Sequence, residues 1–305
     1  FIQYTMQIIM AFLMLSMMSV MLPRALVSAS RVAEVLQTEE TVCDPQQPEP
    51  FKKEKSGFVE FENVCFHYPG AQEDVLKNIS FTARPGQTTA FIGSTGSGKS
   101  TLVNLIPRFF DVTDGRILVN GTDIRKVKKQ ALRQDIGYVP QKGVLFSGTI
   151  ESNIAYGLEK EDRKRVEQAA QVAQSADFIS EKPNGYESEI AQGGTNVSGG
   201  QRQRLSIARA VAKDPKIYIF DDSFSALDYK TDAALRKALR NETKDSTILI
   251  VAQRISTVLH ADQIIVLDDG EIAGIGTHQS LMDSCEVYRQ IAESQLSKEE
   301  LSNEQ

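Results

Sequence analysis

The stretch Gly93–Thr101, GSTGSGKST, limits what this chain can fold into more than any other. It follows the apolar run TTAFI and precedes Leu102, Leu105, Ile106 and Phe109 at helical spacing, so it reads as the turn between a buried strand and a helix. The spacing fits GxxxxGK[ST], in which glycines let backbone N–H groups close around phosphates. Gly93, Ser94, Thr95, Gly96, Ser97 and Gly98 form that loop, Lys99 reaches the β and γ groups, the Ser100 hydroxyl can ligate magnesium, and Thr101 closes the motif. A nucleoside triphosphate with Mg2+ is the ligand these residue types suit. Pro107 is out of keeping with a long helix and predicts one that is kinked or short.

Around this loop the chain alternates between strand and helix patterns. FVEFENVCFHY and ILVNGTDI look like antiparallel strands, the second carrying an Asn120-Gly121 turn suited to a type I′ hairpin. TTAFIG, IGYVPQ, IYIFDD, TILIVAQ and QIIVLDDG are short and apolar, as strands covered on both faces should be. Between them, Val166, Ala169, Ala170 and Ala173 fall on one helical face. The pattern predicts an α/β core with an antiparallel edge and a mostly helical insert.

The N-terminus is different. Phe1 to Leu22 carries no charge, and at ~1.5 Å per residue would cross a ~30 Å hydrocarbon layer. Its place at the front of the chain, with no Met at position 1, predicts the end of a longer membrane part. RALVSASRVAEVLQTEE then reads as an amphipathic helix leaving the bilayer, and TVCDPQQPEPFKKEKSG as a linker rich in Pro and charge. The expected division is residues 1–36 for the membrane helix and its extension, 37–57 for the linker, 58–294 for the α/β domain and 295–305 for a polar tail. A formal charge of −6 gives no general attraction to nucleic acid. Cys43, Cys65 and Cys285 lack ligand or disulfide spacing and read as reduced thiols.

Two further segments carry chemistry. In IYIFDDSFSALD the first carboxylate, Asp221, ends a buried strand and is placed to hold magnesium. In NVSGGQRQRLSIARA, Ser198 and the N–H groups of Gly199 and Gly200, followed by Gln201, would aim a helix N-terminus at an anion. An SGG turn alone would read as a loop, and Asp221 alone as a cap; their order beside the phosphate loop changes both readings.

With these motifs in this order, the chain resembles the ATP-binding-cassette (ABC) family from Phe58 to about Glu293. The resemblance implies a P-loop NTPase fold of the ABC ATPase type, with an antiparallel β subdomain and a helical subdomain. It implies that Tyr68 stacks on adenine, that Gln141 links magnesium and the attacking water to the membrane domain, that Ser198 to Gln201 form the family signature, and that Ser225 to Asp228 lie between two sites. The helix placed before the cassette looks like the exporter type, with LPRALVSASRVAEVL similar to that junction in bacterial multidrug exporters. That implies Mg-ATP as cofactor, a cell membrane location with the cassette on the cytoplasmic side, and an exported substrate.

Two positions depart from the family. Asp222 stands where a general-base Glu is usual, which withdraws the carboxylate by ~1.5 Å; misplacement on that scale costs on the order of a hundredfold in rate. Gln253 stands where a histidine usually meets the γ-phosphate, and an amide cannot relay a proton. Since two cassettes pair head to tail in this family, the departures predict a heterodimer whose other subunit keeps Glu and His. A homodimer with slow ATPase, and a soluble ABC ATPase acting on nucleic acid, are the competing expectations.

Overall fold

The computed structural model describes residues 1–295 apart from 159 and 161. The tail expected at 295–305 therefore lies outside the described residues beyond Gln295. The chain divides into two compact units, Phe1–Cys43 and a second beginning at Asp44. In the first, α1 (Ile2–Gln37) is one uninterrupted helix with none of its residues buried, long and apolar enough to cross a membrane. Pro23 lies inside it; the ring costs a backbone hydrogen bond without ending the helix.

The second unit begins with β1 (Val59–Phe66), β2 (Leu76–Ala83), β3 (Thr88–Gly93), α2 (Lys99–Leu105), β4 (Asp114–Val119), β5 (Thr122–Asp123), α3 (Lys129–Gln134) and β6 (Ile136–Val139). A mostly helical stretch follows, with β7 (Gly148–Thr149), α4 (Ile150–Ile154), α5 (Arg163–Val172), α6 (Ala176–Ser180), β8 (Glu189–Ile190) and α7 (Gly199–Lys213). The chain then returns through β9 (Ile217–Asp221), α8 (Tyr229–Glu242), β10 (Thr247–Val251), α9 (Ile255–Val258), β11 (Gln263–Asp268), β12 (Glu271–Gly276), α10 (His278–Ser284) and α11 (Glu286–Gln295).

Six strands form the central sheet in the order β12-β11-β3-β10-β9-β6, parallel except for β12 at one edge. Both faces are covered, which the period-2 geometry of the strands makes visible. On β9, Ile217 and Ile219 enter the core shared with the antiparallel sheet, whereas Tyr218 and Phe220 enter the core shared with the helical part. All four are at most 1% exposed, and burying each contributes roughly 1.5–3 kcal/mol. The second sheet, β2-β1-β4-β5, is antiparallel. Its β4–β5 turn has positive φ at both Asn120 (51°) and Gly121 (72°), as a type I′ turn requires.

One sequence expectation changes here, and two features of the structure had no reading in the sequence. The linker is not free along its whole length. Lys52 N–H donates to Asn120 O at 3.0 Å, Glu49 N–H to Lys126 O at 2.8 Å, and Gly57 N–H to the Asn120 side chain at 2.7 Å. Apart from Phe51, which packs against the core, its side chains are mostly polar, but its backbone groups find partners at the β4–β5 turn and just after β5, and composition carries no sign of that. The helix after the phosphate loop also stops at Leu105, so Phe109 leaves the apolar stripe and is exposed. Strand β2 has no reading from alternation because Asn78, at φ 51°, breaks its period.

Candidate functional site

Four neighbouring parallel strands end at one edge of the sheet, and each delivers a piece of the site there. β3 runs into the Gly93–Gly98 loop, β10 is followed by Gln253, β9 ends at Asp221 and Asp222, and β6 is followed by Gln141. Together they line a cleft of about 700 Å³, open to solvent, that holds Thr95, Gly96, Gly98, Lys99, Ser100, Thr101, Gln141, Asp222 and Gln253.

Glycine is required at two points of the loop. A Cβ on Gly93 would strike the Leu267 carbonyl of the neighbouring strand, and a Cβ on Gly98 would lie 2.7 Å from Leu76 Cδ2, at a φ of 94° that side chains avoid. Lys99 opens α2 and folds over its own loop, its Nζ donating to Gly93 O at 2.9 Å, Ser94 O at 2.6 Å and Ser97 Oγ at 3.2 Å. Burial pushes the Lys99 pKa down, against the pull of the Asp222 and Asp221 carboxylates. A desolvated ammonium beside a ring of loop amides is suited to an anion of several charges.

Asp221 is 5% exposed. Its Oδ1 accepts from Ser100 Oγ at 2.8 Å, and its Oδ2 from Tyr138 Oη at 3.4 Å. Burial raises its pKa despite those donors. A hydroxyl and a carboxylate side by side, both hard oxygen donors, fit the magnesium expected there, since Mg2+ is commonly held by one or two protein oxygens together with substrate phosphates and water.

Asp222 has a positive φ of 46°, and its backbone N–H donates to Val251 O at 3.0 Å. Its carboxylate has one oxygen in heavy use: Oδ2 accepts from Gln253 Nε2 at 2.8 Å and from Gln141 Nε2 at 3.0 Å. A carboxylate oxygen has two lone pairs, so Oδ2 is saturated by the two amides. The three positions singled out for hydrolysis are thus one hydrogen-bonded group.

The remaining expected residues sit at the margins. Tyr68 follows β1, and its hydroxyl lies 2.9 Å from Thr101 Oγ1, with the ring edge-on to Phe66 and Phe110. This anchors the aromatic at the start of α2. Ser198 to Gln201 do not line the cleft. They form the N-terminus of α7, where Ser198 Oγ accepts from the Gln201 N–H and the Gln201 side chain returns to the Ser198 N–H, a capping box. A Cβ on Gly200 would lie 3.5 Å from Ala226 O, whereas one on Gly199 would meet nothing within 4 Å. The signature therefore stands beside the Ser225–Asp228 loop with Gly199 facing open space.

Sequence reasoning missed Tyr138 and Asn104. Tyr138 Oη donates to Asn104 Oδ1 at 2.8 Å and lies 3.4 Å from Asp221 Oδ2, linking α2 to the end of β9. The only sequence signal was an aromatic just before Pro140 and Gln141, at the end of an otherwise apolar strand.

Residues 76–225 match the family described as ABC transporter. An uncharacterized ABC transporter ATP-binding protein of Mycobacterium tuberculosis is 48% identical over 298 residues, covering 97% of this chain and 51% of that protein. The putative multidrug export ATP-binding/permease protein YgaD of Bacillus subtilis is 41% identical over 274 residues, covering 90% of this chain and 47% of that protein. The chain spans about half the length of the curated relatives it matches. The solved structure of a bacterial Atm1-family ABC exporter with ATP bound superposes with a TM-score of 0.84 at 36% identity, over 90% of this chain and 48% of that one. With the strand order, the phosphate loop and these relatives in agreement, the chain belongs to the ABC transporter family: it carries an ABC nucleotide-binding domain of the kind found in exporters.

Proposed function

We propose that this chain is the ATP-binding end of one half of a heterodimeric membrane exporter, and that its own nucleotide site holds Mg-ATP longer than it hydrolyses it. In this reading the loop from Gly93 to Gly98, with Lys99 and Thr101, binds the phosphates, Tyr68 stacks on adenine, and Ser100, Asp221 and Gln141 hold magnesium, which neutralises phosphate charge when bound. Ser198 to Gln201 complete the nucleotide site of the second cassette. α1 belongs to the membrane, with the cassette on the cytoplasmic side.

The observation that carries this reading is the Asp222 carboxylate. It is one methylene short of the usual Glu, and its Oδ2 already accepts from Gln141 and Gln253. A general base must reach the proton it takes within ~3 Å; only Oδ1 of Asp222 has capacity left for a water. Gln253 in turn has no titrating proton near neutral pH. Both changes slow the same step and leave binding intact. An open groove of about 830 Å³ walled by Phe109, Tyr138, Tyr156 and Arg209, with the exposed Phe146 ring stacked on Tyr156, gives a membrane-domain segment an apolar seat.

The experiment is purification of the full-length protein with whatever subunit accompanies it, followed by ATPase and ATP-retention measurements with Asp222→Asn. We expect a second, different ABC chain, turnover lowered by no more than about threefold, and labelled ATP retained at this site. A homodimer, or turnover abolished by Asp222→Asn, refutes the heterodimer with a weak site.

A further inference from the structure

The loop after Asp222 and the helix it feeds have little apolar anchorage. Among its described residues, α8 buries the hydrophobic side chains Leu235 and Leu239. Against it lie two adjoining clefts, open to solvent, whose walls share Phe224, Arg236 and Thr257. Where these clefts open, α8 has few partner atoms for dispersion contact.

One polar group spans the gap. Arg236 Nε and Nη2 donate to the two Asp232 carboxylate oxygens, each at 2.8 Å. Nη1 donates to Thr257 O at 2.7 Å and Nη2 to Thr257 Oγ1 at 3.1 Å, while the guanidinium lies 5.0 Å from the Phe224 ring centroid. A single planar group thus holds the Asp222–Asp228 loop through Phe224, the first turns of α8 through Asp232, and α9 through Thr257. A guanidinium's donors are fixed in one plane, so no one of these segments moves without pulling on the others. The circuit closes at the cleft, because α9 starts just after Gln253, whose amide donates to Asp222.

We propose that Arg236 is a positioning residue that couples the Gln253 segment to the Ser225–Asp228 loop, so that nucleotide-driven displacement of Gln253 reaches the surface that meets the second cassette. This rests on the paired-cassette reading above. Arg236 itself lines no part of the nucleotide cleft, so its loss should leave ATP binding in place while uncoupling the two segments.

The test is hydrogen–deuterium exchange of the full-length protein with its accompanying subunit, with and without Mg-ATP, in the wild type, Arg236→Ala and Arg236→Lys. In the wild type we expect residues 225–235 and 253–260 to become protected together. In Arg236→Ala, 253–260 should respond alone. Steady-state kcat should fall about tenfold, the lower end of the scale for losing one hydrogen bond to a charged group, with KM for ATP within about twofold. Arg236→Lys keeps the charge but not the fork, so it should also lose the joint response; it carries the test if Arg236→Ala does not fold. A purely structural role would raise exchange in both segments without ATP and leave their joint response to ATP intact. Joint protection in either variant overturns this inference alone. A wild type in which neither segment responds to Mg-ATP overturns it together with the functional reading beneath it.

Discussion

Gly199→Asp should separate folding from function. At this position a Cβ meets nothing within 4 Å, and the backbone is the first helical residue of α7, so the new side chain has room without strain. A carboxylate in the first turn of a helix stabilises it by about 0.3–1 kcal/mol. For a domain of this size that corresponds to a melting temperature raised by roughly 1–3 °C. In the paired transporter the same carboxylate would stand where the signature amides face the second cassette's γ-phosphate. Two unit charges at about 4 Å repel by roughly 4 kcal/mol at an effective dielectric of 20, equivalent to about a thousandfold loss. The assay is a thermal melt of the purified variant beside the ATPase rate of the pair, with labelled-ATP binding as control. We expect an unchanged or higher melting temperature, unimpaired ATP binding at this chain's own site, and turnover near background. A melting temperature lowered by more than a few degrees would refute the structural placement of Gly199. Turnover within about threefold of wild type would refute the assignment of Ser198–Gln201 to the second cassette's site.

Lys99→Ala should abolish high-affinity binding of labelled ATP at this site while the unliganded protein melts within a few degrees of wild type, because Lys99 is held by burial in a disfavoured charged form; unchanged affinity would remove the phosphate-loop assignment. Tyr68→Ala should weaken an ATP analogue by about 1–3 kcal/mol, the scale of base–aromatic stacking. Tyr68→Phe keeps the ring, losing only the contact of the hydroxyl with Thr101, and should weaken the analogue clearly less than Tyr68→Ala; equal losses would mean the hydroxyl matters and stacking does not. Burial raises the Asp221 pKa above its ordinary value, so its contribution to stability is complete below about pH 4 and is lost as pH rises through the folded-state pKa. The melting temperature of Asp221→Asn minus that of wild type should therefore increase between about pH 4 and 7 in melts without nucleotide; a difference that shrinks over that window contradicts the sign.

Much of this molecule is written locally. The phosphate loop is legible because its chemistry depends on glycines, a lysine and a serine at fixed spacing within one turn. The strands are legible because a strand covered on both faces must be apolar throughout, as Ile217 to Phe220 are. The turn at Asn120-Gly121 is legible because its two residues select left-handed backbone. What the sequence left open concerns neighbours. Parallel strands joined by crossovers need not lie beside each other in chain order, so nothing local says that β10 sits between β3 and β9 and brings Gln253 against Asp222. Amphipathic spacing identifies a helix face but not its partner, so neither the Tyr138 link to Asp221 nor the Arg236 link to Thr257 was visible. Composition marked Thr41 to Gly57 as a linker, rich in Pro and charge with little to bury. Only the tertiary structure decided where their backbone N–H and C=O groups would be satisfied, because hydrogen bonding by the main chain is common to every residue and leaves no trace in residue type.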